Sequence, residues 1–375
     1  LEADGVTARV THADRGEEEE LIRCRYLVAA DGINSRVRRG LGMSVKGKDY
    51  AGSFFQNIDI HFNGFTDWKD YFHYCVATDQ FLMVAPLPGG HFRLLLSDRG
   101  EAADPTLTPQ QAFMRLLERH FDGITMGDVV WHSRWETWVR LADTFRQGNV
   151  FLAGDAAHVH STTGGQGMNC CMQDAFNLGW KLALVLKGHA RSDLLETYEA
   201  ERRPVAEQVI WAASSLHDIF MTHGKDIAQR RQTMFDPGYT EKVVNYCSGV
   251  AYTYKDYGKK PPTWTELDGP AAGDRAPDSD FEQGGTLFDR LRHPYFTLLA
   301  MTGDRSPAPV IERLQRRYSP ILAVETLSPS EALSKRYGPS DGRLILVRPD
   351  GYIGFKCAAN EAHLLEAALQ SMLTI

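Results

Sequence analysis

Short apolar runs separated by turn chemistry fill the first hundred positions. Between residues 5 and 30, VTARV, the polar THADRGEEEE and LIRCRYLVAA predict a hairpin feeding a buried strand. That strand ends at Asp31-Gly32, and NSRVRRGLG predicts a short helical turn closed by Gly40 or Gly42. From 52 to 98, FFQNIDIHF, YFHYCVA, QFLMVAPL and HFRLLLS, with the turn PGG at 88–90, predict an antiparallel sheet. A helix over TPQQAFMRLLERHF, a strand in VVWHSRWETWVR and a short buried strand in NVFLAGD follow. Then the period changes. Met168, Met172, Ala175, Gly179, Leu182 and Leu186 recur at helical spacing, which predicts a helix that buries this face and stops at Gly188. The next helix is expected to begin at Ser192-Asp193, with Asp193 as cap and Glu196 completing a capping box, and Pro204 to break it or open a new first turn. The Pro/Gly-rich KKPPTWTELDGPAAGDRAPDSD reads as a junction. Beyond it YFTLLAM, ILAVETL, RLILVRP, a turn at Pro349-Asp350-Gly351, YIGFKCA and the helix NEAHLLEAALQSML amount to a small α/β domain. No internal repeat is visible.

With 375 residues the chain can hold two or three domains, and 43% hydrophobic with 24% charged residues is ordinary for a folded soluble protein. A net charge of -7 argues against nucleic acid as a partner, which would need a basic surface. No apolar run approaches the roughly 20 residues of a membrane span. The opening LEADGVTARV lacks the pattern of a signal peptide, so a cytoplasmic location is expected. The acidic run Glu17 to Glu20 reads as a solvated turn. Cysteines at 24, 75, 170, 171, 247 and 357 form no C-x-x-C pair, which points to reduced thiols rather than disulfides or zinc.

The densest chemistry lies in GDAAHVHSTTGGQGMNCCMQDAFNLGWKLA, residues 154–183. A metal site would need more than His158 and His160 beside Asp155, and no third ligand is spaced to converge. Adjacent Cys170 and Cys171 diverge by about 100° on a helix, which suits packing thiols better than a redox pair. Gly164, Gly165 and Gly167 let backbone approach a ligand closely, and the helix start beyond them offers free N–H groups and a positive dipole end. The run therefore suits an anion or an electron-rich acceptor. Asp155, at the end of a buried strand, either accepts from a sugar-like hydroxyl or caps the turn that follows it.

GNVFLAGDAAHVHSTTGGQGMNCCMQDAFNLGWKLALVL, followed by LETYEAERRPVAEQV, resembles the second flavin motif of the group A flavoprotein aromatic hydroxylases, the family of para-hydroxybenzoate hydroxylase and phenol hydroxylase. YLVAADGINSRVRRGLG resembles the same family's middle motif, whose Asp-Gly pair serves FAD and NAD(P)H. GDRAP, GGTLFDRL and LILVRPDGYIGF are similar to the thioredoxin-like extension of phenol hydroxylase and the polyketide-tailoring hydroxylases, although without C-x-x-C no thiol redox work is expected there. The resemblance implies an α/β chain: a partial FAD-binding Rossmann-like domain over 1–48, an antiparallel substrate-binding sheet over 49–140, the FAD-binding domain continued with helices over 141–262, and a thioredoxin-like domain over 263–375. It assigns FAD to Asp155, Gly165, Gly167, Met168 and Asn169, and the dual-function aspartate to Asp31, supported by Arg36.

The implied reaction is reduction of FAD by NAD(P)H, formation of a C4a-hydroperoxide with O2, and transfer of its distal oxygen to a small aromatic substrate, phenolic or polyketide-like. Substrate candidates on the sheet are Gln56, His73, Tyr74, His91, Arg93, Trp135 and Trp138, with core packing or surface as the alternative. Same-scaffold alternatives are epoxidation, Baeyer–Villiger insertion or reduction, and outside catalysis a non-catalytic binding protein; a homodimer stays open. Where the family usually has proline after the second histidine this chain has Ser161-Thr162-Thr163, which implies a less rigid loop. No G-x-G-x-x-G occurs, and the family places that pyrophosphate turn upstream, so a fragment of a longer flavoprotein is expected, colourless and poorly soluble when expressed alone.

Overall fold

Alternation in the first thirty residues builds an antiparallel pair, β1 (Val6–Thr11) and β2 (Glu19–Cys24), with Val6 opposite Cys24. The computed structural model describes the chain apart from residues 1, 3, 13, 15–17, 65–69, 77–80, 98–103, 105, 222–225, 258–266, 282–283, 302–306, 329 and 340–341. Glu17 of the acidic run and the stretch 259–266 of the Pro/Gly-rich junction therefore lie outside the described residues. The chain continues through β3 (Leu27–Ala29) into α1 (Arg36–Gly40), where the Ser35 hydroxyl accepts from Arg38 N and Gly42, at φ +66°, turns the chain away.

The apolar runs after residue 44 become β4 (Val45–Asn63), β5 (His73–Val76), β6 (Phe81–Leu87) and β7 (His91–Ser97). Next come α2 (Pro109–His120), whose first turn is closed by a Thr108–Gln111 capping box, and β8 (Thr125–Ala142). After β9 (Arg146–Gln147), β10 (Val150–Leu152) and β11 (His158–Val159), the six-stranded antiparallel sheet is complete in the order β11-β8-β4-β7-β6-β5. Side chains alternate across it. Ile58, Ile60, Val84 and Leu94 pack on Phe113, Leu116 and Leu117 of α2, while Phe55, Phe81 and Leu95 form a separate cluster on the other face with Leu216. A second sheet, β3-β10-β9, places β10 parallel to β3.

Helix α3 (Gly167–Leu186) forms where the periodicity predicts it and Gly188 follows at φ +73°, but the buried face is not the predicted one. Met168, Met172, Ala175, Gly179 and Leu186 are exposed and Leu182 is half-buried, whereas Cys170, Asp174, Asn177 and Lys181 are buried, together with Leu178, Trp180 and Leu184. The helix turns its polar stripe inward because every group on it finds a partner, as detailed below. A 3-10 turn over Ser192–Leu195 leads into α4 (Glu196–Met221). Asp193 lies within that 3-10 turn, 3.3 Å from Arg191, so the regular helix begins at Glu196, three residues later than expected. Pro204 also does not break the chain: α4 runs through it. An interior proline costs about 3 kcal/mol, and buried Glu201, Arg202, Val205, Ala206 and Val209 around it supply the opposing packing and ion pairs.

Beyond α5 (Ile227–Met234), α6 (Pro237–Cys247) and α7 (Leu287–Arg290), the last hundred residues alternate β12 (Phe296–Met301), α8 (Ala308–Arg317), β13 (Leu322–Thr326), α9 (Glu331–Tyr337), β14 (Arg343–Val347), β15 (Ile353–Ala358) and α10 (Ala362–Met372). Their sheet runs β13-β12-β14-β15, with β13 parallel to β12 and the other pairs antiparallel, which is a thioredoxin-like arrangement. Trp180 and Leu184 of α3 share a core with Phe296, Leu298 and Leu369 of this sheet and its closing helix. No described helix is long and apolar enough to cross a membrane.

Candidate active site

Because β3 and β10 are parallel neighbours, their carboxyl ends open on the same side, the position at which open α/β sheets bind ligands. Asp31-Gly32 leaves one and Gly154-Asp155 the other. Gly154 adopts φ +60°, and a Cβ there would meet the Cys171 Cβ at 3.2 Å, so only glycine lets the chain turn at this point. The Gly154 N–H donates to Asp174 Oδ2 at 3.0 Å, which pins a 3-10 turn over Gly154–Ala156 and presents the exposed Asp155 carboxylate. A second such turn, Thr162–Gly164, ends in Gly165 at φ +62° and delivers the chain to α3. The first turn of α3 has no side-chain cap, so the amides of Gly167, Met168 and Asn169 form an electropositive rim.

Two cavities meet here. One of about 550 Å³ is lined by Asn34, Arg38, Trp135, Thr137, Trp138, Asp155, His160, Thr162 and Gly167. The other, about 500 Å³, is lined by Ala30, Gly32, Asp155, Gly167, Met168, Cys171 and Ala175. Asp155 and Gly167 belong to both.

Asp31 works within its own motif. Its carboxylate accepts from the N–H groups of Arg36 at 2.7 Å and Val37 at 3.3 Å, and although burial opposes its charge, bonds from Ser35, Val37 and Arg36 hold its pKa below the ordinary value. The Arg36 side chain is exposed. The arginine that crosses to the second motif is Arg38, which donates to Ile33 O and to Ala156 O, each at 2.7 Å. Among Arg36, Arg38 and Arg39, three residues after the Ser35 cap is the position that faces inward, a signal readable once the cap is known.

Of the substrate candidates, Trp135 and Trp138 line the larger cavity, and Trp135 stacks on Phe55 with centroids 6.3 Å apart. Tyr74, His91 and Arg93 share the Phe55 face but do not line it. Arg93 is held by Asp59 through two bonds of 2.8 Å, the His91 ring sits 5.6 Å from that of His61, and Tyr74 is half exposed on the edge strand β5. Gln56 and His73 turn to the opposite face, covered by α2: Gln56 meets His132 at 3.1 Å and His73 packs edge-on against Phe121. The strand period, two residues, puts them there beside Ile58 and Cys75. Nothing in the sequence hinted at Thr137, and Thr162 was marked only for the missing proline; their buried hydroxyls have no hydrogen-bond partner among the described residues. His160, weighed as a metal ligand and set aside, contributes to the same wall: its Nδ1 lies 3.0 Å from Ser161 O and burial lowers its pKa.

The expectation that no third ligand converges on the histidines is overturned for His158. Its Nε2 lies 2.7 Å from Asp174 and 3.9 Å from Cys170 Sγ, and the three are buried together. Yet the Arg202 guanidinium already pairs with Asp174 Oδ1 at 2.8 Å, and a cation would have to sit against it. Burial opposes both charges, but the pair prevails, raising His158 to about 10 and lowering Asp174 to about 2.

The donors at this junction fit FAD. Gly165 has open space where a side chain would stand, the exposed Asp155 carboxylate could accept from ribityl hydroxyls, and the uncapped amides at the start of α3 could meet the electron-rich edge of a flavin ring. Family comparison points the same way. A model described as FAD binding domain matches residues 1–213, and one described as aromatic-ring hydroxylase, C-terminal, matches residues 269–374. Pentachlorophenol 4-monooxygenase of Sphingobium chlorophenolicum is 36% identical over 377 residues, covering 95% of this chain and 70% of that protein. Among solved structures, anhydrotetracycline hydroxylase from Streptomyces rimosus superposes with a TM-score of 0.71 at 28% identity, over 100% of this chain and 74% of that one. The ternary complex of aklavinone-11 hydroxylase with FAD and aklavinone gives 0.69 at 26%, over 98% and 70%.

Proposed function

Since this chain belongs to the FAD-dependent aromatic-ring hydroxylases, we propose that the Asp155 turn and the first turn of α3 hold the flavin while the wall formed by Trp135, Thr137 and Trp138 receives a phenolic or polyketide-like ring. The observation that carries this is the meeting of the two cavities at Asp155 and Gly167, one running along the α3 start and the other onto the aromatic side of β8. When bound and reduced by NAD(P)H, FAD supplies activated oxygen from O2 for insertion into an electron-rich ring.

The protein's own part is binding, orientation and proton handling. Asp155 accepts ribityl hydroxyls, and the amides of Gly167, Met168 and Asn169 stabilise negative charge at the flavin's pyrimidine edge, with Gly165 leaving room for it. Asp31, with its motif partner Arg36, borders the nicotinamide side. Trp135 and Trp138 stack the substrate ring and keep water from it. Thr137 offers a hydroxyl to a substrate oxygen. His160 places its Nδ1 against a carbonyl, which can only accept, so that nitrogen carries the proton and Nε2 is left as an acceptor. Burial keeps the ring neutral, and Nε2 can hold a phenolic proton. Screening phenols for stimulated NADPH oxidation, with oxygenated product measured, tests the activity. Asp155→Ala should weaken FAD retention by roughly 1.5–3 kcal/mol, the worth of a hydrogen bond to a charged acceptor. Unchanged FAD affinity would remove Asp155 from the site.

A further inference from the structure

We propose that Arg348, in the turn between β14 and β15, is a positioning residue for the flavin: the C-terminal sheet reaches the Asp155 turn through buried ion pairs without touching a ligand. The inference rests on the flavin reading above. It gives work to two stretches that the site has not used, ERRP of α4 and RPDG of the hairpin turn.

Arg348 has a side chain only 10% exposed. Its two Nη atoms donate to the two oxygens of Glu201 at 2.8 Å each, and its Nη2 and Nε donate to Asp350 at 2.6 and 3.0 Å. Glu201 also accepts from Lys181 at 2.8 Å and Asn177 at 2.7 Å, both on α3. The hairpin turn is thus bonded to the helix whose first turn forms the flavin rim. The next residue of α4, Arg202, donates to Asp174 at 2.8 Å, and Asp174 accepts from the Gly154 N–H beside Asp155. A second route runs through Tyr254, which accepts from Arg202 at 3.0 Å and stacks on Tyr352 of the same hairpin with centroids 4.1 Å apart.

Adhesion alone does not require this arrangement. Trp180 and Leu184 already bury an apolar seam against Phe296 and Leu298, and buried ion pairs are a poor source of net stability compared with apolar residues of the same volume. What the pairs add is direction: a forked guanidinium fixes Glu201 in angle as well as distance. Glu201 and Arg202, on consecutive positions of α4, transmit that placement to Asp174 and the Gly154 amide.

The test compares Arg348→Met, Arg348→Lys and Asp155→Ala in the FAD-loaded enzyme, reading FAD dissociation, the fine structure of the flavin visible band and the urea midpoint. Arg348→Met should raise the FAD Kd roughly tenfold, equivalent to about 1.4 kcal/mol, and blur the visible band. Arg348→Lys should recover part of the loss, since a lysine can reach one carboxylate but cannot fork across both oxygens. A lowered urea midpoint with unchanged FAD Kd and spectrum would reduce Arg348 to domain adhesion and overturn the proposal. Should Arg348→Met fail to fold, Glu201→Gln, nearly isosteric, carries the same comparison. If Asp155→Ala also leaves the Kd unchanged, the flavin reading itself falls; if Asp155→Ala weakens binding and the Arg348 variants do not, this inference alone is lost.

Discussion

Along one side of α3, Cys170, Asp174, Asn177 and Lys181 are at most 1% exposed, while on the other Met168, Met172 and Phe176 are 72%, 47% and 69% exposed. Both sets repeat at helical spacing. An ordinary amphipathic helix buries its apolar stripe; here the polar stripe is inside because His158, Arg202, Glu201, Asp350 and the Gly154 amide converge on it. The contrast separates two properties that periodicity merges. Spacing locates a helix, but the supply of partners decides which side turns inward.

The largest way to break the contrast is to remove a carboxylate from the polar side. Asp174→Ala leaves the Arg202 guanidinium buried without its main partner, and breaking a buried pair in this way costs about 3–5 kcal/mol. Urea unfolding should show that loss, and replacing both residues, as Asp174→Leu with Arg202→Met, should recover most of it. A loss below about 1 kcal/mol for Asp174→Ala would mean that water reaches the network.

Proton linkage tests the same face. His158 has a folded pKa near 10, above its ordinary 6.5, so its stabilisation is complete below pH 6.5 and is lost as pH rises through 10. Lys181 opposes this: burial, only partly offset by Glu201, lowers it from 10.5 to about 8, so the unfolded chain binds more protons between pH 8 and 10.5 and stability gains there. The urea midpoint should therefore fall from about pH 6.5 and flatten between about 8 and 10, where the two one-proton slopes oppose each other. Lys181→Met should restore the fall between 8 and 10, and His158→Gln should abolish it. An identical profile in all three proteins would remove both groups from the linkage.

Much of this fold was legible because strand alternation, turn glycines and the closing helix at the C-terminal end are local signals, although α8 and α9 between the C-terminal strands were not read. In the motif around Asp155 the helix start and the turn glycine Gly165 were legible, whereas Gly154, at φ +60°, was not singled out. Arg38 was passed over for Arg36 because spacing alone does not reveal that Ser35 caps α1 and so orients the third residue inward. Gln56 and His73 were grouped with Trp135 because a strand sequence gives alternation without saying which face meets α2. Pro204 read as a break because the cost of an interior proline is local, whereas the packing that outweighs it comes from α3 and the C-terminal hairpin. The sheet-face and proline failures are cases of a distant partner overriding a local preference, while the Arg38 failure is a local cap that spacing alone does not show.

A smaller effect should come from the loop that precedes α3. Ser161 sits at φ -58°, ψ 145°, the extended geometry favoured before proline, and Thr162 is the first residue of a 3-10 turn, where a fixed φ near -65° suits the backbone. Thr162→Pro also deletes a buried hydroxyl without a partner among the described residues. Stabilisation of about 0.4–1 kcal/mol is expected from the reduced freedom of the unfolded chain, together with a higher ratio of hydroxylated product to NADPH consumed. A destabilised variant would show that the Thr162 hydroxyl or amide is engaged.

The smallest effect is expected on the apolar side of α3, and there the sign of the contrast is decided. Met172 and Phe176 contact solvent over about half or more of their surface, so Met172→Lys and Phe176→Lys forfeit little packing, and lysine is a good helix former. For residues 1–375 the unfolding free energy from urea titration should change by no more than about 0.5 kcal/mol, the usual range for surface substitutions. Solubility should rise, because contiguous exposed apolar residues favour association with other surfaces and a lysine interrupts them. Destabilisation above about 1 kcal/mol would show that this side is packed, that α3 is apolar-in on both faces, and that the polar stripe is buried in addition to the apolar one rather than in exchange for it.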